Sequence, residues 1–299
     1  MALSDKDRDK ASADLLRRTL VSSGTSAGAE PHPDPEILAA YAERALDADE
    51  TAHYELHFSQ CARCRDQLAL MVCAAAPADP RAWNTLGQAQ LDLADFRGAL
   101  GSLKQALTLD PEMPEAHNGT GIALAQTGDP SAGEAEFREA VRVLPNYGEA
   151  HGNLANVLAW KKDFLQAKYE FDQAVRLGPA DIAARLNYGS MLNSLRNFAE
   201  SQVQIEAALH LNPNLAEAHD LLGTLFERKG QVDAALQEYS EAVRLRPDLS
   251  HAQLDLGGVL ANKGDKVAAA EHLRLASKSS DPNLRDLAQR LLKELESSK

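Results

Sequence analysis

An all-α protein built as an α-solenoid of six 34-residue helical hairpins is the fold class this sequence predicts, and three observations carry it. Ala82, Ala116, Ala150, Ala184, Ala218 and Ala252 recur every 34 residues, with no insertion between them. Aromatic residues make up only 5% of the 299-residue chain, while Ala and Leu are plentiful, which suits helices packed through small contacts. Proline closes the first five units at Pro111, Pro145, Pro179, Pro213 and Pro247 and slips one place in the sixth, to Pro282. A repeat of this length is one supersecondary unit that cannot bury its apolar face alone, so stacking must create the core.

The array is preceded by two other regions. Residues 1–30 are polar and carry both charge signs, without the apolar run of about 7–15 residues that a secretory signal needs. No window reaches the roughly eighteen consecutive apolar residues of a membrane-spanning helix. The chain is therefore expected in the cytoplasm. Residues 31–77 form a separate small module. Asp34-Pro35-Glu36 reads as a helix start, with Asp as cap and Pro in the first turn, and that helix runs through Ala45. An acidic break at Asp47–Glu50 leads to a second helix reaching Cys61, and a third covers Arg65–Ala75. A segment this short buries little and is expected to carry a staple.

The staple is legible in the spacing. His57, Cys61 and Cys64 follow one another at single-turn intervals of a helix, and one imidazole with two thiolates is the soft N/S set that suits tetrahedral zinc. Either His32, just ahead of the first helix, or His53, one turn before His57, can supply the fourth ligand. Arg65 after the CxxC excludes a c-type haem attachment, and no strand-rich context supports a thioredoxin-like redox site. Cys73 reads as a small buried apolar residue. The stretch is similar to the zinc-containing anti-sigma-factor domain of bacterial transcription regulators. Pro33-Asp34-Pro35-Glu36, Leu38, Tyr41, Asp49-Glu50 and the run from His57 to Cys64 carry that resemblance. It implies Zn²⁺, one per chain, and places the upstream ligand about where His32 stands.

Within each repeat the other positions keep phase. The sixth residue is Gly87, Gly121, Ala155, Gly189, Gly223 or Gly257. Ala99, Gly133, Ala167, Ser201, Ala235 and Ala269 follow, then the bulky Leu103, Phe137, Phe171, Ile205, Tyr239 and Leu273. Small residues allow two antiparallel helices to approach, and large ones fill the space between them. Breaks such as Gly128-Asp129, Gly230-Gln231 and Gly264-Asp265 supply the turn, with Gly at the left-handed position. This order of small and large residues resembles the tetratricopeptide repeat family over roughly residues 82–284. After the sixth unit, residues 285–299 place Leu287, Leu291 and Leu295 on one helical stripe, the expected capping helix.

The resemblance implies that first helices line a peptide-binding groove. Asn84, Asn118, Asn153, Asn156, Asn187 and Asn193 fall in first helices, and an amide can both donate to and accept from a peptide backbone. Trp160, Leu91 and Ile122 offer apolar anchors nearby, and Glu115, Glu149 and Glu217 favour a basic segment. The Lys/Arg set with which family members clamp a chaperone's terminal carboxylates is replaced by Asn84, Gln88, Asn118 and Asn153. His117, His151 and His219 each stand second in their unit, so they read as structural and not as a metal cluster.

A net charge of −13 argues against nucleic-acid binding along the phosphate backbone. No nucleophile–base pair, phosphate loop or dinucleotide fingerprint is present, so no enzyme is expected. The expected function is a protein–protein interaction scaffold that holds an extended peptide or partner protein. A sigma-factor-masking transcription regulator and a thiol redox or zinc sensor acting through Cys61 and Cys64 are the alternatives.

Overall fold

The computed structural model describes Pro33, Ile37, Tyr54, His57, residues 61–75 and residues 77–297. Of the first helix expected for the amino-terminal module only Ile37 is described, and it is helical; His32 and His53 lie outside the described residues. Among the described residues the secondary structure is helical throughout, and the chain divides into two compact units, residues 1–163 and residues 164–299. The division falls within the repeat array.

The first unit contains α1 (Ala62–Ala75), α2 (Pro80–Asp92), α3 (Phe96–Leu109), α4 (Pro114–Gln126), α5 (Pro130–Val143) and α6 (Gly148–Trp160). Helix α1 packs on α2, and α2 with α3 and α4 with α5 form hairpins that stack on their neighbours. The helix expected over Arg65–Ala75 begins earlier, at Ala62, so that Cys64 lies within its first turn. The second unit contains α7 (Phe164–Leu177), α8 (Ile182–Ser194), α9 (Phe198–Leu211), α10 (Ala216–Arg228), α11 (Val232–Leu245), α12 (Ser250–Asn262), α13 (Lys266–Ala276) and α14 (Pro282–Ser297). Its hairpins are α8–α9, α10–α11 and α12–α13, each packed on the next.

The periodic residues form the core as their phase requires. Leu103, Phe137, Phe171, Ile205, Tyr239 and Leu273 are all buried, and so are the small residues four positions before them. A Cβ placed on Gly87 would lie 2.4 Å from Leu103, one on Gly121 2.6 Å from Phe137, and one on Gly223 2.6 Å from Tyr239. The first helix therefore meets the large side chain of the second with no room for even a methyl group.

The turn that follows the first helix of each repeat is equally uniform. Ala94, Gly128, Lys162, Arg196, Gly230 and Gly264 occupy one repeat position, and all have positive φ, from 58° to 97°. The next residue caps the second helix, and Asp95, Asp129 and Asp265 accept from the backbone N–H three residues on. Glycine enters this left-handed region without steric cost, whereas Ala94, Lys162 and Arg196 carry strain there.

At the carboxyl end the structure corrects two expectations. Pro282 does not close the sixth unit but starts α14, with Asp281 accepting from the N–H of Asn283 at 2.8 Å. Leu287 is exposed, while Leu284, Leu291, Leu292 and Leu295 pack with Ala288 against Leu254, Leu273 and Ala276. The earlier start adds a turn to the helix, and Leu284, Ala288, Leu291 and Leu295 form the stripe that meets the last hairpin.

Two substitutions test this account. Gly223→Ala should destabilise the protein by about 1–3 kcal/mol, because Tyr239 fills the space its methyl needs. Arg196→Gly should instead stabilise by about 0.5–1 kcal/mol, through relief of the left-handed strain. Urea denaturation of both variants measures the two signs.

Candidate functional site

The second position of every unit carries a side chain with an N–H donor, and in each it reaches back six residues to the carbonyl of the proline before the first helix. Trp83 Nε1 donates to Pro77 at 2.9 Å, and Arg185 Nη2 to Pro179 at 2.7 Å. Gln253 Nε2 donates to Pro247 at 2.7 Å. His117, His151 and His219 place Nε2 at 2.9, 3.0 and 3.1 Å from the Pro111, Pro145 and Pro213 carbonyls. The histidines are structural, as their spacing implied. They tie the inter-repeat turn to the helix that follows it. Nδ1 of His117 lies 2.7 Å from Glu136, and the same atom of His219 lies 2.7 Å from Glu238. The hydrogen bond to Glu136 raises the His117 pKa against the opposing effect of burial, and the Pro111 carbonyl adds to the rise.

The asparagines do not form one uniform row. In the first unit Asn153 Nδ2 donates to Asn118 Oδ1 at 3.0 Å, and Asn118 Nδ2 donates to Glu149 Oε1 at 2.9 Å. Asn118 is only 2% exposed and also lies 3.3 Å from the Tyr147 hydroxyl, so its amide is engaged between repeats. Asn84 is half-buried, with its Oδ1 sealed from solvent and unpaired among the described residues. Asn156 is exposed, and Trp160, one turn further on the same face of α6, is 69% exposed. In the second unit Asn187 is exposed, whereas Asn193 is buried with an unpaired Oδ1. Leu91 packs into the core of the first unit and Ile122 is half-buried.

The acidic row is likewise divided. Glu115 is exposed, Glu149 is held by Asn118, and Glu217 pairs with Arg246 at 2.6 Å. Gln88, at a position where a clamp would need a cation, donates to the Glu115 carbonyl at 3.2 Å.

Ahead of the array, the ligand atoms of His57, Cys61 and Cys64 all lie within 4.8 Å of one another. His57 Nε2 is 3.3 Å from Cys64 Sγ, and neither Cys61 nor Cys64 is in a disulfide. Burial and the adjacent Cys61 push the Cys64 thiol up to about 12. Cys64 is buried with Leu68, and Tyr54, Cys61 and Met71 pack around them.

The tetratricopeptide repeat model matches residues 84–147, 123–182, 194–250 and 221–283, together more than half of the chain. The chain belongs to the tetratricopeptide repeat family. No curated protein matches it. Among solved structures it is similar to YrrB, described as a TPR protein with an unusual peptide-binding site. That match has 22% identity over 62% of this chain and 95% of that one, with a TM-score of 0.50. A chain of the APC/C hetero-tetramer Cut9–Hcn1 aligns at 16% identity over 98% of this chain and 57% of that one, with a TM-score of 0.70. PilF of Pseudomonas aeruginosa aligns at 19% identity over 74% and 97%, with a TM-score of 0.62. At these identities the likeness is one of fold. Proteins of this repeat family act as protein-interaction scaffolds. Among the described residues of this member, no helix is long and apolar enough to cross a membrane.

The histidine ties yield a pH prediction. Because folding raises the His117 pKa, the extra stability is fully present below about pH 6.5 and is lost as pH rises through the folded value. His117→Gln installs the residue that Gln253 provides in the sixth unit and so keeps the carbonyl tie. The wild-type stability advantage over this variant, measured by denaturation across pH 5–9, should shrink as pH rises.

Proposed function

We propose that this tetratricopeptide repeat protein is a non-enzymatic scaffold whose first-helix faces hold an extended peptide or the extended segment of a partner protein. The observation that carries this reading is the pair Asn156 and Trp160, an exposed amide and an exposed indole one turn apart on α6. An amide satisfies peptide N–H and C=O groups, and an indole adds apolar area and a single donor. The second unit, taken by itself, offers an exposed amide of its own in Asn187 on α8. Asn118 and Asn153 are bonded to each other, which leaves Asn156 and Trp160 to meet the peptide in the first unit.

Trp160 is one of only two tryptophans, and Trp83 is tied to a backbone carbonyl, so indole fluorescence reports on the proposed face. Titration with an unbiased peptide library should select binders that shift Trp160 emission. Asn156→Ala with Trp160→Ala should weaken the selected peptide at least about tenfold, without loss of helicity. Unchanged affinity would place binding elsewhere on the protein.

We further propose that His57, Cys61 and Cys64 hold one structural Zn²⁺, with His32 or His53 as the fourth ligand. A tetrahedral zinc with bonds of about 2.3 Å to sulfur and about 2.0 Å to nitrogen sets its ligand atoms roughly 3.5 Å apart. The 3.3 Å separation of His57 Nε2 and Cys64 Sγ fits that demand. A cation also compensates two neighbouring thiolates that burial alone would disfavour. Two imidazoles and two thiolates make the site neutral with zinc, so its role is to staple the module; a sigma-factor-masking regulator is the narrower reading of such a module. Elemental analysis of reduced full-length protein should give one zinc per chain, and Cys61→Ser should abolish it.

A further inference from the structure

The polar contact between Asn118, Glu149 and Asn153 recurs three 34-residue periods further along the chain with different chemistry. Asp220, His251 and Asp255 occupy the same repeat positions in the second unit. In the first unit donors and acceptors match, since each amide finds a partner: Asn153 donates to Asn118, and Asn118 donates to Glu149. In the second unit two carboxylates converge on one imidazole nitrogen. His251 Nδ1 lies 2.9 Å from Asp220 Oδ2 and 3.3 Å from Asp255 Oδ2. A single N–H is shared between them at best, and the hydrogen bond goes to Asp220.

A second observation is independent of that crowding. Asp220 is 8% exposed, yet its Oδ1 is sealed from solvent and has no hydrogen-bond partner among the described residues. A buried carboxylate oxygen without a donor is costly unless a cation serves it. The surroundings add negative charge. Glu227 faces Asp255, and burial, with Asp220 and Glu227 acting against the opposing His251, holds the Asp255 carboxyl up at about 7. The His251 side chain is 58% exposed, which leaves a path from solvent.

We propose that Asp220, His251 and Asp255 form a binding site for one divalent cation of the manganese–zinc class. One ligand atom from each residue already lies within 4.8 Å of the others. The separations of 2.9 and 3.3 Å are those of neighbouring ligands around an ion with bonds of about 2.0–2.2 Å. An imidazole with two carboxylates is an N/O set suited to such ions, and two negative charges neutralise a dication. Asp220 comes from α10, and His251 with Asp255 from α12, so the ion would bridge the first helices of consecutive repeats. In the first unit the Asn118 network makes that bridge with hydrogen bonds alone. Remaining coordination positions are left to water or to an acidic group on a bound partner.

Mn²⁺ is the probe for the test, because the thiolates at residues 61 and 64 would compete for Zn²⁺. Electron paramagnetic resonance counts free and bound Mn²⁺ during titration of the full-length protein. The expected result is one Mn²⁺ per chain, together with paramagnetic broadening of one histidine ring resonance that disappears in His251→Gln. Asp220→Asn with Asp255→Asn installs the residues found at 118 and 153, so the fold should persist by circular dichroism while affinity drops at least tenfold. Absence of bound Mn²⁺ in the wild type would overturn the proposal, leaving an ion pair only. So would binding that survives the double substitution or broadens no His251 signal. If the double variant does not fold, His251→Gln alone decides by the same affinity loss.

Discussion

The close approach of a small residue on one helix to a large residue on the next is the contact on which both units of this protein depend. Leu103, Phe137, Ile205, Tyr239 and Leu273 each lie against a glycine whose Cβ would stand between 2.4 and 2.9 Å from the nearest side-chain atom. Such a contact sets the distance and register of the two helices together, because a shift of one residue would bring a full side chain into the same space. It also explains the constant 34-residue period: an insertion in either helix would move a large residue off its glycine. The left-handed residue between the helices answers to the same constraint. It must turn the chain within the few residues that the register allows, even where the residue is Ala94, Lys162 or Arg196.

Once apolar packing is confined to these positions, the polar residues of the first helices can join one repeat to the next. The donor at the second position restrains the turn that precedes it, and residues as unlike as Trp83, His151, Arg185 and Gln253 do so. Their shared property is an N–H at the end of a side chain long enough to reach a carbonyl six residues back. Three positions elsewhere on these helices form a second bridge between repeats. Asn118, Glu149 and Asn153 make it with neutral amides and a single charge. Asp220, His251 and Asp255 make it with ionisable groups, and among the described residues one Asp220 oxygen remains unpaired. The same backbone frame thus carries either a closed hydrogen-bond network or an electrostatically incomplete one, according to which side chains the repeat supplies.

Proposed partner contacts fall on residues outside both bridges. In the first unit Asn156 and Trp160 are exposed, whereas Asn118 and Asn153 are bonded to each other. In the second unit Asn187 is exposed and Asn193 is buried. Each unit taken by itself presents fewer amides than the row of asparagines along the sequence suggests.

The sequence by itself determined the helical class, the 34-residue spacing of the helix pairs, the identity of the periodic core residues and the tight turns marked by Gly128, Gly230 and Gly264. Periodicity carries all four, since each follows from residues within a single 34-residue unit. His57, Cys61 and Cys64 were legible as a cluster because they are close in sequence, and their ligand atoms lie within 4.8 Å although Cys61 stands just ahead of α1. The tertiary structure alone decided what the polar residues do. Whether Asn118 faces a ligand or bonds to Glu149 and Asn153 depends on side chains 31 and 35 residues away. The exposure of Leu287, the start of α14 at Pro282 and the convergence of Asp220, His251 and Asp255 depend in the same way on the packing of successive elements. A polar group takes whichever partner the neighbouring repeat brings within about 3 Å, and only the packed structure specifies that distance.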